Sequence, residues 1–247
     1  MDQRAFERGV DGTHMADSDT AAKGSDHPHW NNYSHQNDAE YPTHLLSAKP
    51  EVGVGPWEGA WPDDPRYDAE LLEQGDRRNV VDKYRYWTLD AIKADLDTSR
   101  SALHIAIENL AHDLNIGSIV RTGNAFNVGG VHIVGRHKWN KRGAMVTNRY
   151  LHEFYHSTPA DLHEWAREHD YTLVAVDNME GSTQLETTPL PERCLLVFGQ
   201  EQNGISPELL GLCEQAVYIP QFGSTRSMNV AAAAAIAMHW WIAKYRA

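Results

Sequence analysis

Between residues 195 and 230 the chain sets polar side chains beside glycines. Gly199 and Gly204 bracket a polar loop that carries Glu201, and a second glycine loop, 221–226, delivers Ser227 and Asn229 to the start of an alanine-rich stretch. Loops with so little side-chain bulk let their backbones approach a small ligand closely. Each residue alone has an ordinary explanation. Glu201 suits an exposed turn, and Ser227 and Asn229 suit helix capping. A cap can still present a polar atom to a pocket. Arg121 lies further upstream, just past the apolar pair Ile119-Val120, where an arginine ordinarily faces solvent.

The elements that must hold these residues follow from the local pattern. The apolar run 194–198 reads as a buried strand bounded by turn residues. Ser206, Pro207 and Glu208 announce a helix through about 213, as N-cap, first helical residue and first-turn acid. Residues 216–219 form a second strand, stopped by Pro220. Upstream, 103–107 alternates like a strand. Asn115 is placed to cap a helix with Ile116, Ile119, Val120 and Phe126 on its apolar face, and Gly129-Gly130 turns into a strand at 131–134. Thr158-Pro159 opens a helix to about 169, and 171–176 is another strand. Strands separated by helices imply right-handed crossovers and an α/β fold, a mostly parallel sheet with helices on both faces. No G-x-G-x-x-G follows the first strand, which disfavours a dinucleotide-binding Rossmann enzyme.

Three ordered segments resemble the motifs of the SpoU/TrmH branch of the SPOUT RNA methyltransferases. They are Asn115-Ile116-Gly117-Ser118-Ile119-Val120-Arg121-Thr122, then Phe198-Gly199-x-Glu201-x-x-Gly204-Ile205-Ser206, and then Ile219-Pro220 with Ser227-Met228-Asn229-Val230. The resemblance spans about residues 101–245. It implies a C-terminal trefoil knot, among the rare exceptions to unknotted connections, and the alanines 231–235 suit a helix that passes close to neighbouring backbones. It implies S-adenosylmethionine as cofactor, held by Gly199, Ile219 and Met228. Around the target nucleotide it implies a polar ring of Asn115, Glu201, Ser227 and Asn229, with Arg121 as the catalytic cation. A guanidinium offers a rigid fork of donors to phosphate and stabilises a developing alkoxide. The activity implied is methyl transfer to a ribose 2′-hydroxyl of tRNA or rRNA by a homodimer without metal. The alternative is a non-catalytic RNA-binding protein on the same fold, which would be expected to have lost that ring.

Composition sets bounds. The chain of 247 residues carries a formal charge of −12. Residues 1–79 hold 16 Asp/Glu against 7 Lys/Arg, whereas the remainder holds 18 against 15. Binding RNA by bulk charge calls for a basic protein, so contacts to RNA would be local. One candidate is the loop 136–142, where Arg136, Lys138, Lys141 and Arg142 surround Trp139, although a solvated basic loop explains the same residues equally well. The expected organisation is an acidic, disordered extension over 1–80, a linker with a helix over 81–100, and the methyltransferase domain over 101–247. Within the extension, Trp57, Trp61 and Tyr67 could dock as a strap, and the histidines at 27–35 could bind a metal ion, although a solvated tail with incidental histidines is the favoured reading. Cys194 and Cys213 fit no metal motif and read as buried thiols. No apolar run is long enough to span a membrane, and a cytoplasmic protein is expected. Met238, Trp240, Trp241 and Tyr245 would serve either a dimer interface or the core.

Overall fold

The computed structural model describes residues 53–109, 115–136, 139–200 and 203–246, which fall within a compact unit running from Glu51 to Ala247. The histidine-rich stretch 27–35 lies outside them. Seven strands form one sheet: β1 (His104–Glu108), β2 (Gly130–Val134), β3 (Glu153–His156), β4 (Thr172–Val176), β5 (Thr183–Gln184), β6 (Cys194–Phe198) and β7 (Gln215–Tyr218). Their order is β3-β2-β1-β6-β4-β7-β5 and every pairing is parallel. β6 is therefore flanked by β1 and β4, and its backbone is paired on both sides.

Side-chain alternation divides the strands between two cores. Ile105, Ile107, Val131, Ile133, Val174, Val176, Leu196 and Phe198 share one core with α3 (Ile116–Ala125) and α6 (Val230–Tyr245). Ala106, Val134, Leu173, Ala175, Leu195 and Val197 face the other way, onto α4 (Pro159–Glu168) and α5 (Pro207–Leu210). Helices thus cover both faces, as the strand–helix alternation requires. β3 and β5 escaped the sequence reading because one is an edge strand of mixed polarity and the other has only two residues. Capping follows the expected chemistry at Thr158, whose hydroxyl accepts from Asp161 N while Asp161 accepts from Thr158 N. Ser206 likewise caps α5, accepting from Leu209 N, although α5 ends at Leu210 rather than near 213.

Residues 53–80 are built into the fold where a disordered extension was expected, whereas the helix expected within 81–100 is present after its Thr88 cap. Residues 53–100 carry α1 (Ala69–Gln74) and α2 (Leu89–Asp97). Here Trp57 packs edge-on against Tyr67 and Tyr86, and Trp87, Ile92 and Tyr150 form a small third core. The buried Asp76 organises the segment. Its carboxylate accepts from the side chain and backbone of Arg78 and from Tyr86 N, while Arg78 also donates to Trp87 O. Burial alone would raise the Asp76 pKa, but these donors outweigh it and hold the group below the ordinary carboxylate range. Arg100 then ties the segment to the sheet domain through Tyr150 O and Asn127 Oδ1. The sequence signal was weak because the segment is held by polar bonds and a few aromatics rather than by a periodic apolar face. Asp76→Ala would take the shared acceptor from the partly buried Arg78 guanidinium and from the amides of Arg78 and Tyr86, and we expect a loss of about 1–3 kcal/mol in denaturant unfolding. An unchanged unfolding midpoint would contradict this account of the segment.

Beneath α4 lies a chain of buried imidazoles. His104 Nδ1 is 2.9 Å from His132 Nε2, and His132 Nδ1 is 2.9 Å from His156 Nε2. Phe154 stacks on His132, and Trp165 covers the group. Burial lowers the pKa of His104 from 6.5 to about 3 and that of His132 to about 2, and it lowers that of His156 against the attraction of Asp161. The unfolded chain takes up these protons near pH 6.5 while the fold does not. Stability is therefore complete above that pH and drains as pH falls below it. Between pH 7 and pH 5 the unfolding free energy should drop by about 2 kcal/mol or more. A flat urea midpoint across that window would show that these imidazoles are not neutral and buried.

Candidate active site

The loops that follow β4, β6 and β7 meet at the carboxyl ends of these strands, where open α/β sheets bind ligands. They enclose a cavity of about 300 Å³. Gly199, directly after β6, lines it together with Ile219, directly after β7, and with Ser227 and Met228 at the approach to α6. Val176, Val230 and Ala233 add apolar wall. Four residues singled out from sequence thus come together from two loops.

The glycines in this wall serve the chain's own packing. A Cβ on Gly199 would stand 2.1 Å from the carbonyl carbon of Gly204 and 2.2 Å from Ile205 N, so two stretches of backbone occupy the space a side chain would need. Gln200 and Gly204 close the loop by exchanging N–H···O bonds of 2.9 Å in both directions. Gly204 takes φ +65°, and a Cβ there would meet Asp177 Oδ2 at 2.5 Å. Asp177 Oδ2 accepts from Ile205 N at 3.1 Å, and Glu108 Oε2 accepts from Ser206 N at 2.8 Å. Glu201 falls outside the described residues.

Asn229 joins two of the motifs. Its Oδ1 accepts from Ala231 N and Ala232 N and so caps α6, as expected, and its Nδ2 donates to Asn115 Oδ1 at 3.0 Å. Asn115 itself, expected as a cap, makes no side-chain capping bond to α3 and has αR backbone angles. Its side chain is turned toward α6 instead. Arg121 is exposed on α3 and is not among the residues that line the cavity. Six residues of helix place it about 9 Å along the axis from Asn115. Among the described residues, no hydrogen bond or ion pair fixes its guanidinium.

Two other expectations change. Trp139 is 5% exposed and belongs to the larger core, so it is not presented for stacking on a base. Lys141 of the same loop pairs with Glu153 at 2.9 Å. On α6, Met238 and Trp241 are buried in that core, and Trp241 Nε1 donates to Pro191 O. Both cysteines are free, Cys194 buried and Cys213 half-buried, and burial pushes the Cys213 thiol up to about 12. Among the described residues, no group of His, Cys, Asp and Glu could hold a metal ion.

Sequence reasoning missed several residues in the cavity wall, namely Asp177, Asn178, Gln200, Asn203, Gln221 and Arg226. Asp177 and Asn178 directly follow a strand in a parallel sheet, and that position was an available signal.

The family model described as the SpoU rRNA Methylase family matches residues 102–239. A tRNA (guanosine(18)-2′-O)-methyltransferase of Borreliella burgdorferi is 24% identical over 158 residues, which cover 63% of this chain and 72% of that protein. A protein of Mycobacterium ulcerans described as an uncharacterized tRNA/rRNA methyltransferase is 27% identical over 203 residues, or 79% of this chain and 64% of the relative. Among solved structures, the SpoU methyltransferase AviRb of Streptomyces viridochromogenes in complex with the cofactor AdoMet superposes with a TM-score of 0.53 at 24% identity. The match covers 61% of this chain and 60% of that one, and it bears on the fold alone.

If the Gly199–Gly204 contact builds the cavity wall, Gly199→Ala must push the loop off the strand end. The expected result is a lower melting temperature together with new protease cleavage within 199–206. A variant as stable and as resistant as the parent would refute the contact.

Proposed function

Because the chain belongs to the SpoU rRNA methylase family, we propose that it transfers the methyl group of S-adenosylmethionine to a ribose 2′-hydroxyl of tRNA or rRNA. The observation that carries this reading is the meeting of Gly199, Ile219, Ser227 and Met228 around one cavity, with Asn229 hydrogen-bonded to Asn115 beside it. The cavity lies at the lower end of the ~300–1,000 Å³ usual for small-molecule sites. Its apolar Ile219, Met228 and Val230 suit an adenine ring, and its polar Asn178, Gln200 and Gln221 suit a ribose and an amino-acid head group. The residues present therefore fit the cofactor, which Gly199, Ile219 and Met228 would hold. When bound, S-adenosylmethionine supplies an electrophilic methyl group.

The chain must then orient a ribose and ease loss of its hydroxyl proton, since that hydroxyl is a very weak acid. Arg121, free of ion pairs among the described residues, would place positive charge beside the ribose and its phosphate, where an alkoxide develops. Asn115, Glu201, Ser227 and Asn229 would form the polar ring that orients the nucleotide. A homodimer in the cytoplasm is part of the same proposal. Its support is apolar surface left open near the site: Ile236 on α6 is 42% exposed, and Phe222, in the loop before it, is 97% exposed. Among the described residues, no helix is long and apolar enough to cross a membrane.

The direct experiment incubates the protein with methyl-labelled S-adenosylmethionine and bulk RNA, then maps 2′-O-methyl ribose. Label in the ribose supports the reading; label in a base, or none, refutes it. Arg121→Ala separates binding from transfer. Cofactor titration should be unchanged, because Arg121 does not line the cavity, while single-turnover methyl transfer falls by about 10²–10³. Normal transfer would remove Arg121 from the mechanism, and lost cofactor binding in a folded variant would show that its role was misassigned.

A further inference from the structure

The cavity loop is gripped by two carboxylates from outside the three motifs. β6 lies between β1 and β4, and the chain that leaves it turns back so that Ile205 and Ser206 cross the ends of both neighbours. Glu108, the last residue of β1, accepts from Ser206 N at 2.8 Å, and Asp177, the first residue after β4, accepts from Ile205 N at 3.1 Å. Two consecutive amides are thus bonded to acids on opposite sides of the strand between them. Glu108 is 3% exposed, so its bond to Ser206 N forms away from competing water. Hydrogen bonds of this charge-assisted kind are stronger than bonds between neutral groups.

We propose that Glu108 and Asp177 are positioning residues that clamp the 199–206 loop in the shape needed to bind the cofactor. The inference rests on the methyltransferase reading for the identity of that cofactor. The clamp accounts for details that capping and strand pairing leave open. It holds the Gly204–Ile205 backbone in the space beside Gly199, and Asp177 Oδ2 fills the space that any side chain at Gly204 would enter. Glu108 is not among the cavity-lining residues, so it acts on the ligand only through the loop.

The test compares Glu108→Ala, Glu108→Gln and Asp177→Asn with the parent chain. The readouts are S-adenosylmethionine titration and hydrogen–deuterium exchange of the peptide covering 199–206. Gln and Asn keep an acceptor oxygen, whereas Ala removes it. Glu108→Ala should weaken binding by about 10- to 100-fold and speed exchange of that peptide, and Glu108→Gln and Asp177→Asn, which lose the charge, should show a smaller loss of affinity and a smaller rise in exchange. Ile92→Ala, in the separate core under α2, is the control for plain destabilisation and should lower the unfolding midpoint without changing affinity. Affinity and exchange unchanged in Glu108→Ala would overturn the clamp, as would equal weakening in Ile92→Ala. If Glu108→Ala does not fold, Glu108→Gln and Asp177→Asn decide, and parent-like affinity and exchange in both would overturn the clamp. A parent chain that binds no S-adenosylmethionine refutes the cofactor assignment instead, and the exchange rates then judge the clamp by themselves.

Discussion

Strand β6 ends where it does because two stretches of backbone touch. Gly199 and the Gly204–Ile205 peptide lie closer together than any side chain would allow, and the cavity wall is made from that contact. The remaining features of the site depend on it. β7 and the loop beyond it supply Ile219, Ser227 and Met228 to the same cavity, and α6 starts at Asn229, whose side chain reaches Asn115. A contact between backbones requires glycine for space and, at Gly204, for φ +65°. It also leaves little to hold the loop by packing, which is why polar bonds from neighbouring strands fall on its amides.

The first described residues are part of the fold by different means. In place of a broad apolar face, residues 53–100 use an ion pair between the buried Asp76 and the partly buried Arg78, aromatic edges and backbone acceptors. Asp76 and Arg78 form its centre, and Arg100 reaches Tyr150 O and Asn127 Oδ1 of the sheet domain. A pair with one buried partner contributes little net energy over an apolar substitute but penalises any arrangement that leaves the buried carboxylate without its donors. That suits a segment whose task is to stay in one place.

Much of the sheet was legible from periodicity. The alternation along β1, the apolar run of β6 and the caps at Thr158 and Ser206 are local signals, and local structure obeyed them. The meeting of Gly199, Ile219 and Met228 was legible only through motif resemblance, because spacing along a chain does not reveal which loops converge. Asn115 shows where local reasoning stops. Its type and position suit a cap, yet its side chain bonds to a residue 114 positions away. Trp139 is a similar case, since an indole among lysines and arginines reads as exposed until the core that receives it is seen. Glu108 gave no signal beyond the end of a strand, because its partner is a backbone amide, which any residue could supply. Asp76 was hidden in the same way inside an acidic stretch, where one carboxylate looks like the next.

We place the cofactor in the cavity formed after β4, β6 and β7. Calorimetric titration of S-adenosylmethionine into the parent chain and into Met228→Trp, which fills the cavity with an indole, tests this placement most directly. The account predicts saturable binding by the parent without added metal, and none by the variant while its circular dichroism and unfolding midpoint stay close to the parent's. A folded parent that binds nothing, or a variant that binds as the parent does, would contradict it.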